Sequence, residues 1–340
     1  MKKIKWGIIG PGRIAKRFAD GLKESKNAKL IAIASKNSRR RRKFGDKYKI
    51  SKFLRFNNYL NLIKNTEIDA VYIALPNSLH KKWTIVSAQN GKHILCEKPS
   101  AIDYDQGKEI IDVIKKNNIF YMEGFMYRFH PQVKKIIYLI SNNKIGKINF
   151  VNASFGYKTQ KKDPDSRIFS KKLGGGCILD VGVYPISFCR LIAGLYDKKK
   201  FLNPMSITGS CKKSFTGVEE EAYATLRFKN NIIARVACAI TKKMDNNVFI
   251  EGTKGSILIE EPWTPGKNGG KHSTKIIVKN SEGKKKIYKT KSIKHLFAFE
   301  AEHASRLIQQ NKKFSDFPGL NWNDTLGNLK TLDRWKKYLN

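Results

Sequence analysis

The stretch Cys96-Glu97-Lys98-Pro99 places a lysine where it could take part in chemistry. The stretch 92–96 predicts a buried strand, and Pro99 ends it because proline lacks an N–H and restricts the residue before it. Lys98 is therefore expected on a fixed backbone at the carboxyl end of a strand, where open α/β sheets bind ligands. A lysine there can polarise an oxygen atom or lower the pKa of a neighbouring acid. The alternative is a solvated lysine after an ordinary strand.

Two further pairs of residues could contribute acid/base or binding groups. Asp180 and Tyr184 lie four residues apart in a predicted helix, and that spacing places both side chains on one face. The glycines at 174–176 allow a ligand or another backbone to approach closely. Arg128 and His130 follow a predicted strand and are candidates for a substrate pocket, although a salt bridge or a helix cap would use the same groups.

The elements that would position these residues begin with a glycine-rich turn. The apolar strand 4–9 leads into the sequence 10–15, which has the pattern G-x-G-x-x-A, and then into a helical pattern. In such a turn the first glycine permits the tight bend, the second lets a pyrophosphate approach the backbone, and the small last residue lets the helix pack on the strand. The helix N-terminus would face the phosphates. The expected cofactor contacts are Gly10, Gly12, Arg13, Ile14 and Ala15.

The end of the second strand, 29–34, distinguishes between the two nicotinamide cofactors. An NAD site usually ends this strand with an acid for the ribose hydroxyls. Here Ser35 and Lys36 follow, with Arg40 farther on, so no acid repels a 2′-phosphate and cations could bind it. We therefore expect NADP to be preferred, with NAD as the second choice. The alternative is that the arginines form only a solvated helix face.

Two more strand ends would bring polar groups to the same edge of the sheet. The strand 70–75 ends in a turn signal, which is typical of the ligand edge. Asn77 could instead cap the next helix, and His80 could face the nicotinamide or act as a cap. Glu97 is expected to contact the cofactor amide or ribose. The cofactor contacts expected here are Leu75, Pro76, Asn77, His80, Glu97 and Lys98.

The pattern of elements predicts two domains. Repeated strand–helix alternation over the first ~120 residues predicts a doubly wound parallel sheet, and we assign a Rossmann domain to 1–124. From Lys147 onward short strands follow one another without long helices, which predicts an open, mostly antiparallel sheet with helices in a second domain, 125–340. Two C-terminal helices, near 297–310 and 323–338, could pack back on the first domain.

Composition sets the broad limits. The 340 residues are 41% hydrophobic, which is enough for two domains with ordinary cores. The five cysteines are scattered, so we expect neither a disulfide framework nor a zinc site, and no metal. No apolar run approaches the ~20 residues that span a bilayer. The charged, apolar start is too short for a signal peptide, and we expect a cytoplasmic location.

The formal net charge of +39 raises the question of nucleic acid. The lysines are spread along the whole chain, and the one local cluster is the run 39–43, Arg-Arg-Arg-Arg-Lys. No nucleic-acid motif occurs. We expect non-specific polyanion binding at low salt as a side effect rather than as the function.

Several stretches together resemble the Gfo/Idh/MocA oxidoreductase family, which includes glucose–fructose oxidoreductase and inositol dehydrogenase. They occur in both halves of the chain in the family's order, and the greatest similarity is to the branch of NADP-dependent aldose (xylose-type) and dihydrodiol dehydrogenases. That branch keeps Tyr where inositol dehydrogenases keep His; Gly124 stands where it commonly has Ala, and Lys36 where Arg is common. The matching stretches are GPGRIA at 10–15, ALPNSLH at 74–80, GKHILCEKP at 91–99, EGFMYRFHP at 123–131 and GGGCILDVGVYP at 174–185.

The resemblance implies a second domain that binds substrate and forms a homodimer or homotetramer through the free face of its sheet. It also favours a functional role for the Asp180 and Tyr184 pair over an exposed acid and a core aromatic. The catalytic residues it implies are Lys98, Asp180 and Tyr184. Together with the candidates named above, the predicted substrate contacts are Lys98, Arg128, His130, Asp180 and Tyr184.

The chemistry of hydride removal explains why Lys98 and Tyr184 would act together. The hydroxyl proton of the substrate must leave as hydride passes to the nicotinamide, and a tyrosine with a pKa near ~10 is a poor base at neutral pH. A nearby ammonium favours tyrosinate. We therefore expect Tyr184 as the acid/base, with Lys98 tuning it and holding the reacting oxygen. Asp180 would bind an adjacent hydroxyl or orient the lysine.

The expected activity is that of an NADP-dependent dehydrogenase for a cyclic polyhydroxy substrate, with an aldopyranose oxidised at C1 to its lactone as the favoured case. A trans-dihydrodiol or cyclitol dehydrogenase would use the same residues. Two alternatives from other classes are a nicotinamide-binding regulatory protein without turnover and a polyanion-binding protein. The intact set of Lys98, Asp180 and Tyr184 argues against the regulator, which would not need all three.

Overall fold

The structure, a computed structural model, describes residues 2–339. Its strands are β1 (Ile4–Ile9), β2 (Ala28–Ala34), β3 (Arg55–Phe56), β4 (Ala70–Ile73), β5 (His93–Glu97), β6 (Tyr121–Gly124), β7 (Ile148–Gly156), β8 (Ser206–Lys213), β9 (Glu219–Arg227), β10 (Ile233–Ala239), β11 (Val248–Gly252), β12 (Gly255–Ile259), β13 (Thr274–Asn280) and β14 (Lys285–Thr290). Its α-helices are α1 (Arg13–Glu24), α2 (Ser38–Lys47), α3 (Tyr59–Lys64), α4 (His80–Gln89), α5 (Tyr104–Asn117), α6 (Pro131–Ser141), α7 (Val183–Tyr196), α8 (Leu296–Gln309) and α9 (Trp322–Tyr338).

The first sheet confirms the predicted doubly wound parallel architecture. Its order is β3-β2-β1-β4-β5-β6, and every pairing between neighbours is parallel. The central strands are short apolar runs, and all four residues of β4 are buried. The strand order reverses between β1 and β4, which is the point where such sheets bind ligands beyond their carboxyl ends.

The second sheet has the order β14-β13-β12-β11-β7-β10-β9-β8. Its pairings are antiparallel except for β7 with β10, so the predicted mostly antiparallel sheet is confirmed with one parallel pair. Buried residues alternate with half-buried or exposed ones along β9 and most of β10, as expected for a sheet with one covered face. Helix α7 packs on the covered face against β7 and β10.

The helix that carries Asp180 and Tyr184 differs from the regular α-helix that the spacing predicted. Residues Ile178–Gly182 form a π-helical turn, and the regular α7 begins only at Val183. The wider turn changes the angle between side chains four residues apart, so the prediction of one helical face does not carry over unchanged. Single π-helical turns of this kind are frequent at functional sites.

The chain forms two compact units, and neither is a single continuous segment. The first unit comprises Met1–Ala101, Asp105–Phe129 and Lys294–Thr325. The second comprises the remaining segments, of which His130–Ile293 is the longest. Helix α8 therefore belongs to the first unit, beside α1.

One helical segment approaches membrane-spanning length, although Asp180 and Arg190 interrupt it and it is not a continuous apolar run. The segment Lys171–Tyr196 is long and apolar enough to cross a membrane by length and composition. However, 94% of its most apolar window is buried inside the fold. Its burial is that of a core helix, and the second sheet provides the surface on which α7 packs.

Three buried glutamates lie in the described part of the first unit: Glu97, Glu123 and Glu300. The hydroxyl of Tyr72 donates to Glu97, and the backbone N–H of Ser100 donates to Glu123 at 2.9 Å. Glu300, on α8, has no hydrogen-bond partner for either oxygen among the described residues. Burial, together with the charge of Glu97, raises the pKa of Glu300 well above its usual range. The folded state therefore favours the neutral acid at this position.

We expect Glu300→Gln to flatten the dependence of stability on pH. Because the folded state raises the pKa of Glu300, its stabilising contribution is fully present below the unfolded pKa of ~4.3 and is lost as pH rises toward the folded value. The free energy of unfolding of the variant, relative to that of the wild type, should therefore rise by about 1 kcal/mol or more as the pH increases from 5 to 9. Urea unfolding at several pH values measures this change.

The exposed Glu67→Gln is the matched control, and its stability should follow the wild-type curve. A Glu300→Gln curve parallel to that of the wild type would show that Glu300 ionises normally in the folded protein.

Candidate functional site

The turn after β1 uses its two glycines for different reasons. Gly10 has φ +92°, and a Cβ there would lie 2.7 Å from the backbone oxygen of Ala74, so both its conformation and its surroundings require glycine. Gly12 has an extended backbone, and a Cβ there would meet no atom of the described residues within 4 Å. The fold does not need a glycine at position 12. The open space beside its backbone suits a close-approaching ligand group.

Helix α1 presents its N-terminus at this space. Gly12 is the N-cap residue and makes no side-chain hydrogen bond, and the first turn carries no acidic side chain. The first N–H groups of a helix have no partner within it, and they favour an anion. Arg13 is exposed here, Ile14 is half-buried, and Ala15 is buried where α1 packs on the sheet. The predicted pyrophosphate site thus has the donors and the space that it requires.

The end of β2 is ordered by short hydrogen bonds and carries cations. Ser35 is buried, its backbone oxygen accepts from Arg41 at 2.7 Å, and its hydroxyl accepts from the N–H of Asn37 at 3.2 Å. Asn37 in turn caps α2 by accepting from the N–H of Arg40 at 2.8 Å. Lys36 and the Arg40 side chain are exposed. A ribose 2′-phosphate at this strand end would meet the exposed cations of Lys36 and Arg40.

The buried imidazole of His80 forms hydrogen bonds to the turns that follow β4 and β5. The ring nitrogens of His80 lie 2.9 Å from the backbone oxygen of Leu75 and 2.7 Å from that of Pro99. Lys98 is half-buried, and its peptide bond to Pro99 is cis. Because His80 is fully buried, its evident role is to fix the two turns, and direct contact with a cofactor stays a prediction.

The neighbouring polar residues at these turns are also inside the fold. Asn77 is buried and begins a short 3-10 turn, while α4 starts at His80 without a side-chain cap, so the alternative of Asn77 as the cap of α4 is not observed. Pro76 precedes the turn. Glu97 is buried and accepts the Tyr72 hydroxyl, so this hydrogen bond fixes its carboxylate.

In the second unit, Asp180 is held by two residues that the sequence did not single out. Its Oδ2 accepts the hydroxyl of Tyr157 at 2.6 Å, and its Oδ1 accepts from Arg167 at 2.8 Å. Asp180 is 6% exposed, and both of its oxygens are engaged. Tyr157 follows the last residue of β7, so the strand-end argument used for Lys98 could have found it. Arg167 lies in a long polar loop and carries no comparable signal.

Tyr184 lies in a cluster of aromatic rings in the same unit. Its ring centroid is 5.3 Å from that of Phe155 and 6.0 Å from that of Trp263, and it is 5% exposed. The indole N–H of Trp263 donates to the backbone oxygen of Ser154 at 2.8 Å, which fixes that ring. The sequence indicated only a loop around Trp263. The arrangement gives the tyrosine a rigid, mostly apolar setting with one polar end.

Arg128 and His130, proposed as substrate contacts, are both fully buried. Arg128 donates to the hydroxyl of Tyr127 at 3.0 Å and lies 4.0 Å from the carboxylate of Asp324. His130 caps α6 by accepting from the N–H of Gln132 at 3.1 Å, and burial lowers its pKa to about 4. These contacts favour the structural alternative for both residues, and substrate contact stays a prediction.

Comparisons with known proteins give a consistent assignment. The model of the oxidoreductase family with an NAD-binding Rossmann fold (Gfo/Idh/MocA) matches 4–125, and the model of the Gfo/Idh/MocA C-terminal domain matches 133–258. The trans-1,2-dihydrobenzene-1,2-diol dehydrogenase of Xenopus tropicalis is 31% identical over 93% of this chain and 92% of its own. The human protein of the same name is 26% identical over 77% of this chain and 76% of its own.

Solved structures share the fold across nearly the whole chain. KijD10, a 3-ketoreductase from Actinomadura kijaniata in complex with NADP and TDP-benzene, superposes with a TM-score of 0.87 at 23% identity, covering 100% of this chain and 98% of its own. An aldose-aldose oxidoreductase from Caulobacter crescentus superposes with a TM-score of 0.86 at 23% identity, covering 99% and 97%. With both family models matched and a relative 31% identical along almost its full length, the chain belongs to the Gfo/Idh/MocA family of NAD(P)-dependent oxidoreductases.

Proposed function

We propose that this protein is an NADP-dependent dehydrogenase for a six-membered ring that carries adjacent hydroxyl groups. The observation that carries the proposal is the setting of Tyr184, a buried hydroxyl among aromatic rings, one turn from the fixed carboxylate of Asp180. Flat aromatic surfaces suit the apolar face of a ring, while the hydroxyl and carboxylate suit its polar edge.

Three classes of substrate fit this description. The favoured case is an aldopyranose oxidised at C1 to its lactone, which presents a ring face and neighbouring hydroxyls. The second is a trans-dihydrodiol, and it is supported by the dihydrodiol dehydrogenases that resemble this chain. A cyclitol would use the same groups.

The preference for NADP is supported by the end of β2. Lys36 and Arg40 would hold the 2′-phosphate, and the backbone beside Gly12 with the N-terminus of α1 would hold the pyrophosphate. Open space beside Gly12 fits such a group. When bound, the nicotinamide accepts or supplies the hydride.

In the proposed mechanism the chain supplies the proton chemistry. Tyr184 takes the proton from the substrate hydroxyl during oxidation and returns it during reduction. Lys98 favours the tyrosinate by its charge and holds the reacting oxygen. The carboxylate of Asp180 has further lone pairs beyond those used by Tyr157 and Arg167, so it can still accept an adjacent hydroxyl or orient the lysine.

Removing either the acid/base Tyr184 or the lysine that tunes it should reduce turnover while the cofactor still binds. We expect Tyr184→Phe and Lys98→Met each to lower kcat by about 10²–10⁴-fold, the range for a positioned acid/base. The measurement is the absorbance of reduced nicotinamide with a panel of aldopyranoses and trans-diols, together with a fluorescence titration of NADPH.

The matched control is Tyr196→Phe at the end of α7, which should retain wild-type rates. Wild-type turnover in Tyr184→Phe or Lys98→Met would exclude this mechanism. If trans-diols were turned over and aldopyranoses were not, the substrate would be a trans-dihydrodiol rather than an aldopyranose.

Gly12→Ala should separate cofactor binding from folding. The new methyl group fits the protein, so the melting temperature should change by less than about 2 °C, but it occupies the space for the pyrophosphate. We expect NADPH to bind at least about tenfold more weakly, since backbone approach is what the second glycine of the turn provides. Thermal unfolding and fluorescence titration measure the two effects.

Gly10→Ala is the informative comparison, because its left-handed backbone and contact with Ala74 predict a loss of stability instead. Unchanged NADPH affinity in Gly12→Ala would place the pyrophosphate elsewhere.

We also propose that the open face of the second sheet joins two copies of the chain. The register aligns four apolar side chains across neighbouring strands on this face: Phe249, Leu258, Ile277 and Ile287. Ile287 is 54% exposed, which is unusual for a large apolar residue in the middle of a strand. Burying such a row against its own copy would remove apolar surface from water.

Ile277→Lys should shift the protein toward the monomer, because it places equal charges opposite each other across a two-fold interface. Ile293→Lys is the control, since Ile293 is exposed outside the sheet. Light scattering after size exclusion measures both. A wild type that is monomeric at all concentrations, or an equal shift in the control, would refute the proposed interface.

A further inference from the structure

A cavity lined almost entirely by cations lies beside α2 in the first unit. Its volume is about 500 Å³, within the range of small-ligand pockets. Its lining consists of one hydroxyl and five positively charged side chains, and no described carboxylate contributes to it: Ser38, Arg39, Arg41, Arg42, Lys52 and Arg55. Like charges around one concave space repel one another, so the arrangement favours an anion with more than one charge.

This cavity is distinct from the proposed 2′-phosphate site. Successive residues of an α-helix are rotated by about 100°. The four lining residues of α2 therefore fall on one side of the helix, whereas Arg40 points to the opposite side. Arg40 and Lys36, which would hold the cofactor phosphate, do not line the cavity.

Two of the guanidinium groups are anchored by the backbone. Arg41 donates to the backbone oxygen of Ser35 at 2.7 Å, and Arg55 donates to that of Ile50 at 2.8 Å. Arg55 also pairs with Asp46 and lies across Gly45, where a Cβ would be only 2.4 Å from its Nε. Ordering these side chains in advance reduces the entropy lost when they bind a ligand.

The other three cations have no salt-bridge partner in the described part of the chain. Arg39, Arg42 and Lys52 are exposed, and no carboxylate among residues 2–339 lies within salt-bridge distance of them. The nearest acid on α2, Asp46, is used by Arg55. The positive field of the cavity is therefore largely uncompensated, in contrast to the paired lysines near Glu220.

An aromatic residue with almost no contact to the rest of the described protein follows the lining residue Lys52 directly in sequence. Phe53 follows Lys52 in a short 3-10 turn and is 91% exposed. A phenylalanine in such a position leaves its ring surface in water at a cost in free energy. A ring face next to phosphate-binding cations is the combination that proteins use for single-stranded nucleic acid.

We propose that this cavity and Phe53 form a binding site for single-stranded nucleic acid, without sequence preference. Phosphates of the strand enter the cationic cavity, and a base stacks on Phe53. A flexible single strand can bend a phosphate into a concave site, whereas the phosphates of a membrane lie in a plane. The site belongs to a second activity of the chain and does not depend on the proposed dehydrogenase function.

The test is fluorescence anisotropy of a labelled oligothymidylate with the full-length protein at several salt concentrations. Arg39→Glu combined with Arg42→Glu should weaken binding at least about tenfold and reduce the slope of log Kd against log salt by about 1.4, since each single-strand phosphate contact contributes about 0.7. Phe53→Ala should weaken binding about fivefold or more with the slope unchanged. NADPH affinity should stay at the wild-type value in all variants.

The charge-matched control is Lys108→Glu combined with Lys115→Glu, two exposed positions on α5 that make no salt bridge in the described structure. It changes the net charge equally and should weaken binding less than about threefold. If the control lost as much oligonucleotide affinity as the Arg39→Glu and Arg42→Glu variant, the overall charge of the protein would explain the effect and the proposal would be overturned. The proposal would also be overturned if the wild type failed to bind the oligonucleotide at 150 mM salt. The same holds if Phe53→Ala abolished binding to anionic vesicles but left the affinity for the oligonucleotide unchanged.

Discussion

The parallel pairing of β1 with both β2 and β4 is the constraint on which the first unit depends. It makes the carboxyl ends of three strands meet at one edge, and the chain must turn away at each end. At the end of β1 the turn passes so close to Ala74 that only Gly10, with its left-handed backbone, fits. The same tight turn points the N-terminus of α1 into open space beside Gly12, so packing inside the fold and binding outside it follow from one arrangement.

Buried polar contacts extend this arrangement to the other strand ends. His80 joins the turn after β4 to the turn after β5, and the position of Lys98 depends on that link through Pro99. Behind the edge, Glu97 is fixed by Tyr72, while Glu300 lies without a partner and favours its neutral form. Polar residues near a ligand edge thus divide into those that hold the loops and those that can reach a ligand.

In the second unit, side-chain hydrogen bonds and aromatic packing hold the candidate site residues in position. A π-helical turn carries Asp180, and the two oxygens of its carboxylate are held by Tyr157 and Arg167 from outside the helix. Tyr184 follows at the start of α7, where aromatic rings restrict its motion. Membership in the Gfo/Idh/MocA family fits this combination of a nucleotide-binding unit and a unit with a fixed acid and tyrosine.

The sequence by itself determined the features that depend on neighbours along the chain. Alternation of strands and helices, the spacing of the glycines around Gly10 and the proline after Lys98 are local, and they were enough to predict the fold class. Short strands such as β4 and β5 were also found, with ends shifted by one or two residues because hydrogen bonding to neighbouring strands sets those ends.

Only the tertiary structure decided which polar side chains are used inside the fold. Arg128 and His130 carry the same chemical groups as a substrate site, but packing buries them against partners distant in sequence or at a helix start. Conversely, the sequence around Arg167 does not indicate a functional role, and only its hydrogen bond to Asp180 in the folded protein makes it a candidate site residue. Burial and pairing depend on the whole arrangement of elements, and a side chain's surroundings cannot be read from its own stretch of sequence.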